Sequence, residues 1–263
     1  MKKTSWFNGQ FLSDDFVTLS TTHHSWLRGD GVFETLRTDG ETIYFLDRHL
    51  ARARRSADSI FVSLPQSSHL KEICKEVVKN SALKGLGKLR LTFFANGDLL
   101  ITHEEYINTR APISLGVFPD RKPATYLLNS TKSLSYGYSA AALRWSVQSG
   151  YEDSLLINDS NQVIESAMAN VAIDSGGAII FPHLSSGGLP GIVREVALEW
   201  FPDIVVRKVD LEELDHIHGM ALLSSLREFQ HVGSLHGKSL PNSEKLTAMA
   251  DEFRNRAQAA PDS

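Results

Sequence analysis

The chain has 263 residues, of which 42% are hydrophobic, and a formal net charge of −4. A chain of this length can bury one large core or two modest ones, so we expect one or two domains. Because lysine and arginine are not in excess, we expect neither nucleic acid nor an anionic membrane surface as a partner.

Strand-like and helix-like segments alternate along the first half. GVFETLRT and TIYFL predict two strands joined by a turn at Asp39-Gly40. Asp47 is the predicted N-cap of the helix that follows, and a second helix is predicted over residues 67–80. KLRLTFFANG and ISLGVFP then predict two further strands, so the first half is expected to be α+β.

The segment PDRKPATYLLNS, residues 119–130, contains two prolines and mixed charge. It predicts a linker between an N-terminal domain over 1–118 and a C-terminal domain over 131–263. In the second half, helices are predicted near 138–149, in GIVREVALEWF and over 243–257. Strands are predicted in DSLLIND, QVIES, NVAIDS, GAIIFP, IVVRKVD and GMALLSSL.

Cys74 is the single cysteine, so neither an intrachain disulfide nor a cysteine-based zinc site can form. It lies among apolar residues at helical spacing, which predicts a buried structural thiol. The scattered histidines lack a third ligand at suitable spacing, so we expect no metal site. There is no apolar run long enough for a signal peptide or a membrane span, and we therefore expect a cytoplasmic protein.

Three features of the second half can carry chemistry. Lys132 has no charged neighbour between Lys122 and Arg144, and Glu165 ends a predicted strand. GGLPG, residues 187–191, leads into a predicted helix whose first N–H groups and dipole favour an anion. Taken singly, these features also fit a surface lysine, a solvent-facing glutamate and an ordinary turn. Together they supply an amine, a carboxylate and phosphate donors, which are the groups that hold pyridoxal 5'-phosphate (PLP).

Six segments resemble, in order, the motifs of the class IV (fold-type IV) PLP enzymes. This family includes branched-chain and D-amino-acid aminotransferases and 4-amino-4-deoxychorismate lyase. RGDGVFETLR resembles its N-terminal strand signature, and LDRHLARARRSADSI resembles its D-x-H-L-x-R-L-x-x-S-A helix. KSLSY resembles K-T/S-L-N-Y, and IESAMAN resembles E-G-S-x-x-N. GGLPGIVRE resembles G-I-L-P-G-I-T-R, and LLSSLREFQHV resembles T-S-S/A-L-x-x-V-x-P-V. Glu165 follows Lys132 by 33 residues, which also fits the family.

The resemblance implies a D-amino-acid aminotransferase-like α/β fold, with an α+β N-terminal domain and a larger, barrel-like α/β C-terminal domain. It implies that Lys132 forms an imine with PLP and moves a proton between the substrate α-carbon and C4′ of the cofactor. It implies that Glu165 pairs with the pyridine nitrogen. The other implied cofactor contacts are Arg52, Tyr136, Asn170, Ser225 and the amides of Ile192 and Val193. Arg52 also fits an exposed helix arginine, since other basic residues surround it in the sequence.

The predicted substrate contacts are Phe33, Arg37, Arg90 and Asn96. Family members that act on D-amino acids carry a tyrosine and an arginine where this chain has Phe33 and Asn96. The carboxylate-binding residues of those enzymes are therefore not matched here. Arg37 and Arg90 remain as candidates for binding a substrate carboxylate. Val193 replaces a usual threonine, which removes a hydroxyl near the phosphate.

The resemblance favours a homodimer that transfers an amino group between an amino acid and a 2-oxo acid. One alternative is a lyase that eliminates pyruvate from aminodeoxychorismate to give 4-aminobenzoate. Another is a non-catalytic binding module, against which Lys132 and Glu165 argue. The small residues of ESAMAN favour the lyase, whereas KSLSYGY favours an aminotransferase.

Overall fold

The computed structural model describes residues 3–14 and 16–262, which form six helices and fifteen strands. The helices are α1 His24–Arg28, α2 Leu46–Ser59, α3 Ser67–Ser81, α4 Gly137–Gln148, α5 Ile192–Trp200 and α6 Glu244–Ala259. The first seven strands are β1 Lys3–Phe7, β2 Gln10–Phe11, β3 Gly31–Asp39, β4 Thr42–Ile43, β5 Leu86–Phe94, β6 Leu99–Glu105 and β7 Ile113–Lys122. The others are β8 Asp153–Asn158, β9 Val163–Ser166, β10 Asn170–Asp174, β11 Ile179–Pro182, β12 Val205–Arg207, β13 Gly219–Ser224, β14 Glu228–Leu235 and β15 Lys238–Ser239.

The chain folds into two compact units. Unit 1 contains the residues up to Asn108, the segment Thr131–Tyr136 and the residues from Ala259 onwards. Unit 2 contains Thr109–Ser130 and Gly137–Gln258. Among the described residues, no helix is long and apolar enough to cross a membrane.

Unit 1 is built on an antiparallel sheet with strand order β2-β1-β6-β5-β3-β4. Val32 and Leu36 of β3 pair with Phe93 and Leu89 of β5, and all four lie in one core with the apolar residues of α2 and α3. Side chains alternate between the faces of a strand, so Phe33 and Arg90 lie on the opposite face. One face of the sheet is therefore the core and the other is available to a site.

The helix α2 begins differently from the prediction. Phe45, with φ 56°, is its N-cap, and no side chain caps it. Asp47 lies inside the first turn, so the prediction that Asp47 is the N-cap is wrong. A carboxylate in that turn still interacts favourably with the helix dipole.

The lysine segment belongs to unit 1, whereas the sequence analysis places it at the start of the C-terminal domain. Ser133 forms an antiparallel bridge with Val32 at the open edge of β3. The amide of Phe33 donates to the carbonyl of Lys132 at 2.9 Å, and the amide of Leu134 donates to that of Gly31 at 2.9 Å. The predicted linker also differs, because its first residues belong to β7. These pairings join residues about a hundred positions apart and leave no local signal in the sequence.

Unit 2 is built on a curled, mixed sheet with the order β12-β11-β10-β13-β14-β7-β8-β9, and β15 pairs with β14. β7 runs parallel to β8 and β14, and β11 runs parallel to β12. One apolar core draws on most of these strands, with members that include Leu115, Leu155, Val163, Val171, Ile180, Leu222 and Val232. The mixed α/β architecture is the predicted fold class.

Candidate active site

Lys132 lies against the ring of Phe33. Its Nζ is 4.6 Å from the ring centroid, and Phe33 is only 5% exposed. The same ring makes a T-shaped contact with Tyr136 at 5.6 Å between centroids. The backbone of Lys132 is fixed on α2, because its amide donates to Ser56 Oγ at 3.2 Å. The predicted residues Lys132, Tyr136 and Phe33 therefore form one cluster.

Arg90 belongs to the same cluster. Its Cζ lies 4.0 Å from the Phe33 centroid, so the guanidinium and the Lys132 amine contact one ring. In the described part of the chain, Arg90 has no ion pair or hydrogen bond with a carboxylate. Burial lowers its pKa, although Tyr136 acts in the opposite direction. A half-buried arginine without an anionic partner is suited to bind the carboxylate of a substrate.

Arg52 lies in a buried ion-pair network. Its Nε and Nη2 donate to the two carboxylate oxygens of Glu34 at 2.9 and 2.6 Å. His49 Nδ1 lies 2.7 Å from Glu34 Oε2. Burial raises the pKa of Glu34, but Arg52 and His49 together outweigh it and hold that pKa at about 2. Burial lowers the pKa of His49, against the attraction of Glu34.

The alternative of an exposed helix arginine is therefore wrong for Arg52, which is 3% exposed. A bidentate pair with Glu34 fixes the plane of its guanidinium. Glu34 and His49 are functional candidates that were not predicted from the sequence. The available signal was an acidic residue between two apolar residues of the same strand face, together with a histidine one helical turn before the arginine.

The other two predicted substrate residues lie apart from the Phe33 ring contacts. The guanidinium of Arg37 stacks on Tyr44 at 4.4 Å. Asn96 lies in the turn between β5 and β6, where its Nδ2 is 2.8 Å from Asp98 Oδ2 and 2.9 Å from His23 Nε2. These contacts bind the Asn96 amide to its own turn and to the N-cap of α1, and the structure gives it no contact with Lys132.

In unit 2, Glu165 is held at the end of β9. Its Oε2 accepts hydrogen bonds from Asn170 Nδ2 at 3.0 Å and from the amide of Leu189 at 3.1 Å. Asn170 Nδ2 also donates to the carbonyl of Leu189 at 2.9 Å. Glycine is required at Gly191, because a Cβ there would lie 1.9 Å from Asn170 Oδ1. Asn170 thus fixes the carboxylate and the GGLPG loop together.

The loop leads directly into α5. Gly191 is the N-cap and provides no side-chain hydrogen bond. The first amides of a helix have no intrahelical acceptor, so those of Ile192 and Val193 can bind an anion. Ser225 lies in the turn after β13, one residue beyond the end of that strand.

Two basic residues that the sequence analysis did not assign accompany Glu165. The attraction of Glu165 acts on the pKa of Lys122, at the end of β7, and on that of Arg194 in α5. Burial lowers both pKa values more strongly. A basic residue directly after the helix-start motif P-G-I-V was the only local signal for Arg194.

The chemistry of these groups fits PLP. Unit 1 offers the Lys132 amine beside an aromatic ring and the buried Arg52. Unit 2 offers the Glu165 carboxylate and the uncapped start of α5. A PLP enzyme needs three kinds of group. An amine reacts with the aldehyde of the cofactor, a carboxylate pairs with its pyridine nitrogen, and backbone amides bind its phosphate.

Comparisons with known proteins agree. Residues 31–235 match the amino-transferase class IV family. A putative branched-chain-amino-acid aminotransferase of Methanocaldococcus jannaschii is 23% identical over 262 residues, covering 91% of this chain and 90% of that protein. The aminodeoxychorismate lyase of Bacillus subtilis is 26% identical over 214 residues, covering 75% of this chain and 73% of that protein. The PLP-bound structure of a hypothetical aminotransferase from Mycobacterium tuberculosis superposes with a TM-score of 0.90 at 21% identity, covering 99% of this chain and all of that one.

The chain belongs to the class IV aminotransferase family. This confirms the predicted family, the fold-type IV architecture and the expectation of an enzyme. Enzymes of this family use PLP, which is the predicted cofactor. The roles of the individual residues stay predictions.

Proposed function

We propose that this enzyme transfers an amino group between an amino acid and a 2-oxo acid. The observation that carries the proposal is the shared contact of Lys132 and Arg90 with the Phe33 ring. It brings an amine and a guanidinium that forms no ion pair with a carboxylate of the described residues into contact with one ring. An amino acid carries both a reacting nitrogen and a carboxylate, and a guanidinium is suited to bind the carboxylate.

Each predicted residue then has a defined task. Lys132 binds the cofactor and moves the proton at the substrate α-carbon. Arg52 and the amides of Ile192 and Val193 bind the phosphate, and Ser225 assists them. Glu165, oriented by Asn170, holds the proton at the pyridine nitrogen. Tyr136 donates a hydrogen bond to the ring oxygen, and Arg90 binds a substrate carboxylate.

The cofactor supplies one property that no side chain has, since a protonated pyridine ring accepts the electron pair left when the α-proton is removed. The protein contributes orientation and charge. The Phe33 ring lies against the Lys132 amine and limits the positions that the amine can take. The Glu34 pair keeps the Arg52 guanidinium in one plane.

The test begins with PLP reconstitution. The wild-type protein should bind PLP with a visible absorption band, and borohydride should attach the cofactor to the peptide that contains Lys132. Lys132→Ala should lose both the band and the attachment. Lys84→Ala, which removes an exposed lysine of unit 1, should keep both. A wild-type protein that stays colourless in excess PLP would disprove the proposal.

Elimination of pyruvate from aminodeoxychorismate is the second candidate function. It is supported by the match to the lyase of Bacillus subtilis, which is as similar in sequence as the aminotransferases are. Both reactions begin with removal of the α-proton by Lys132 and differ in what leaves afterwards. Pyruvate release from aminodeoxychorismate, compared with amino exchange over a panel of 2-oxo acids, separates them.

We also propose a homodimer in the cytoplasm. The short helix α1 exposes Trp26 and Leu27, which are 56% and 63% exposed. Adjacent apolar side chains of this size favour association with another protein surface. Light scattering should give the mass of a dimer, and Leu27→Asp should weaken it. The single buried cysteine fits a reducing compartment, which cell fractionation would test.

A further inference from the structure

Arg194 is a buried cation of unit 2 that lacks a carboxylate in ion-pair contact. It is 7% exposed. Its Nη2 donates to the carbonyl of Pro182 at 3.3 Å, and its guanidinium lies 5.9 Å from the Phe181 centroid. Between residues 16 and 262, no acidic side chain forms an ion pair with it. Burying a guanidinium in this way is costly unless a nearby negative charge compensates for it.

Lys122 is a second cation of this kind. It ends β7, is half-buried, and its Nζ donates to the carbonyl of Gly187 at 3.2 Å. No carboxylate of the described chain forms an ion pair with it either. Its neighbour Arg121 is exposed and lies 3.3 Å from Asn161 Oδ1. Two adjacent basic residues thus have different surroundings.

The negative charge that acts on both cations is Glu165. The same loop carries all three contacts. Lys122 holds the carbonyl of Gly187, Glu165 accepts from the amide of Leu189, and α5, which contains Arg194, follows directly. Lys122 and Glu165 therefore bind backbone groups only two residues apart in this loop, and Arg194 lies in the helix that the loop enters.

We propose that Lys122 and Arg194 are positioning residues that keep Glu165 ionised, and thereby keep the pyridine nitrogen of the cofactor protonated. This inference rests on the proposed function. The carboxylate and the pyridine nitrogen are two bases that compete for one proton. Cations beside the carboxylate weaken it as a base, so the proton stays on the nitrogen. Removing either cation moves the proton toward Glu165 and makes the ring a poorer electron acceptor.

The test uses the full-length protein reconstituted with PLP that is labelled with 15N in the ring. The 15N resonance reports directly whether the nitrogen carries a proton. We expect the protonated value in the wild type and the unprotonated value in Glu165→Gln. Lys122→Met and Arg194→Met should shift the resonance downfield toward that of Glu165→Gln.

Two further variants separate the effect of charge from that of structure. Lys122→Arg keeps the charge and should restore the wild-type resonance. Arg121→Met removes a positive charge from the neighbouring exposed position and should leave the resonance unchanged. If Arg194→Met does not fold, Lys122→Met decides alone, because this residue lies at a strand end and is only half-buried.

The outcomes are distinguishable from failure of the proposed function. If Lys122→Met binds PLP and keeps the wild-type resonance, the inference is wrong while the proposed function stands. The inference is also wrong if Arg121→Met shifts the resonance as much as Lys122→Met does. If the wild type itself binds no PLP, the proposed function fails and this inference fails with it.

Discussion

At the scale of single residues, Phe33 organises the lysine site. Its ring contacts Lys132 and Arg90 and makes a T-shaped contact with Tyr136. A cation over an aromatic face is stabilised by the ring quadrupole. The ring therefore holds the Arg90 guanidinium and lies against the Lys132 amine.

Arg90 is expected to act on substrate binding. Replacement by methionine removes a charged hydrogen bond of about 1.5–3 kcal/mol, so KM should rise about 10- to 100-fold. The value of kcat should change less, because Lys132 is retained. Steady-state kinetics with the preferred amino donor provides the measurement, and Arg110→Met, at an exposed position, is the control. An unchanged KM in Arg90→Met would contradict the assignment.

Cys74 is expected to be inert in the folded protein. It is fully buried in α3, and burial raises the pKa of its thiol to about 12. The thiolate is the reactive form, so a disulfide reagent such as dithionitrobenzoate should not react in native buffer. In strong denaturant it should release one equivalent of coloured thiol per chain. Rapid reaction without denaturant would show that the thiol is accessible.

At the scale of elements, α2 joins the sheet to the lysine segment through a row of polar side chains. His49 and Arg52 contact Glu34 of β3. Ser56 Oγ accepts from the amide of Lys132, and Ser59 Oγ lies 2.8 Å from Thr131 Oγ1. Residues three and four apart share one helix face, so a single face of α2 makes all these contacts.

The buried pair of Glu34 and Arg52 should contribute strongly to the stability of unit 1. Glu34→Gln leaves the Arg52 guanidinium buried without its carboxylate, which should lower the free energy of unfolding by about 3–5 kcal/mol. Glu104→Gln breaks a half-exposed ion pair with Lys88 and should cost at most about 1 kcal/mol. Urea unfolding of the two variants gives the comparison. If both variants lost the same free energy of unfolding, the buried pair would contribute no more to stability than the half-exposed one.

At the scale of the whole molecule, each unit has its own apolar core, and buried titratable groups make stability depend on pH. His103 lies between Thr38 Oγ1 at 2.8 Å and Ser81 Oγ at 2.6 Å. Burial lowers its pKa to about 4. The pKa of this histidine in the unfolded chain is near 6.5, so between about pH 6.5 and pH 4 the unfolded chain binds a proton that the folded chain does not bind. Stability should therefore fall as the pH falls through this range.

The expected loss from His103 is at most about 3 kcal/mol between pH 7 and pH 4. His49 acts in the same direction, and Glu34 adds a loss below about pH 4.5. Urea midpoints measured across this range in the wild type should decrease, and His103→Gln should show a shallower decrease. His69→Gln, at an exposed position, should match the wild type. If the urea midpoint of His103→Gln decreased with falling pH as steeply as that of the wild type, the role of His103 would be contradicted.

The sequence by itself determined the elements with strong periodicity and the chemistry-bearing motifs. The apolar spacing of residues 67–80 predicted α3, and the alternation of GVFETLRT predicted β3. It did not predict β1, β6 or β14, although each of them also pairs with a strand that is its neighbour in the sequence. The family motifs carried the prediction of the cofactor, because a lysine, a glutamate and a Gly-rich helix start recur in a recognisable order.

Only the tertiary structure decided which residues act together. It attached Lys132 to unit 1 through the edge of β3, and it buried Arg52 beside Glu34. It also gave Asn96 hydrogen bonds with His23 and Asp98, and it brought Lys122 and Glu165 to the same loop. The physical reason is that a charge gains its role from its partners and its burial, and both come from contacts between distant parts of the chain.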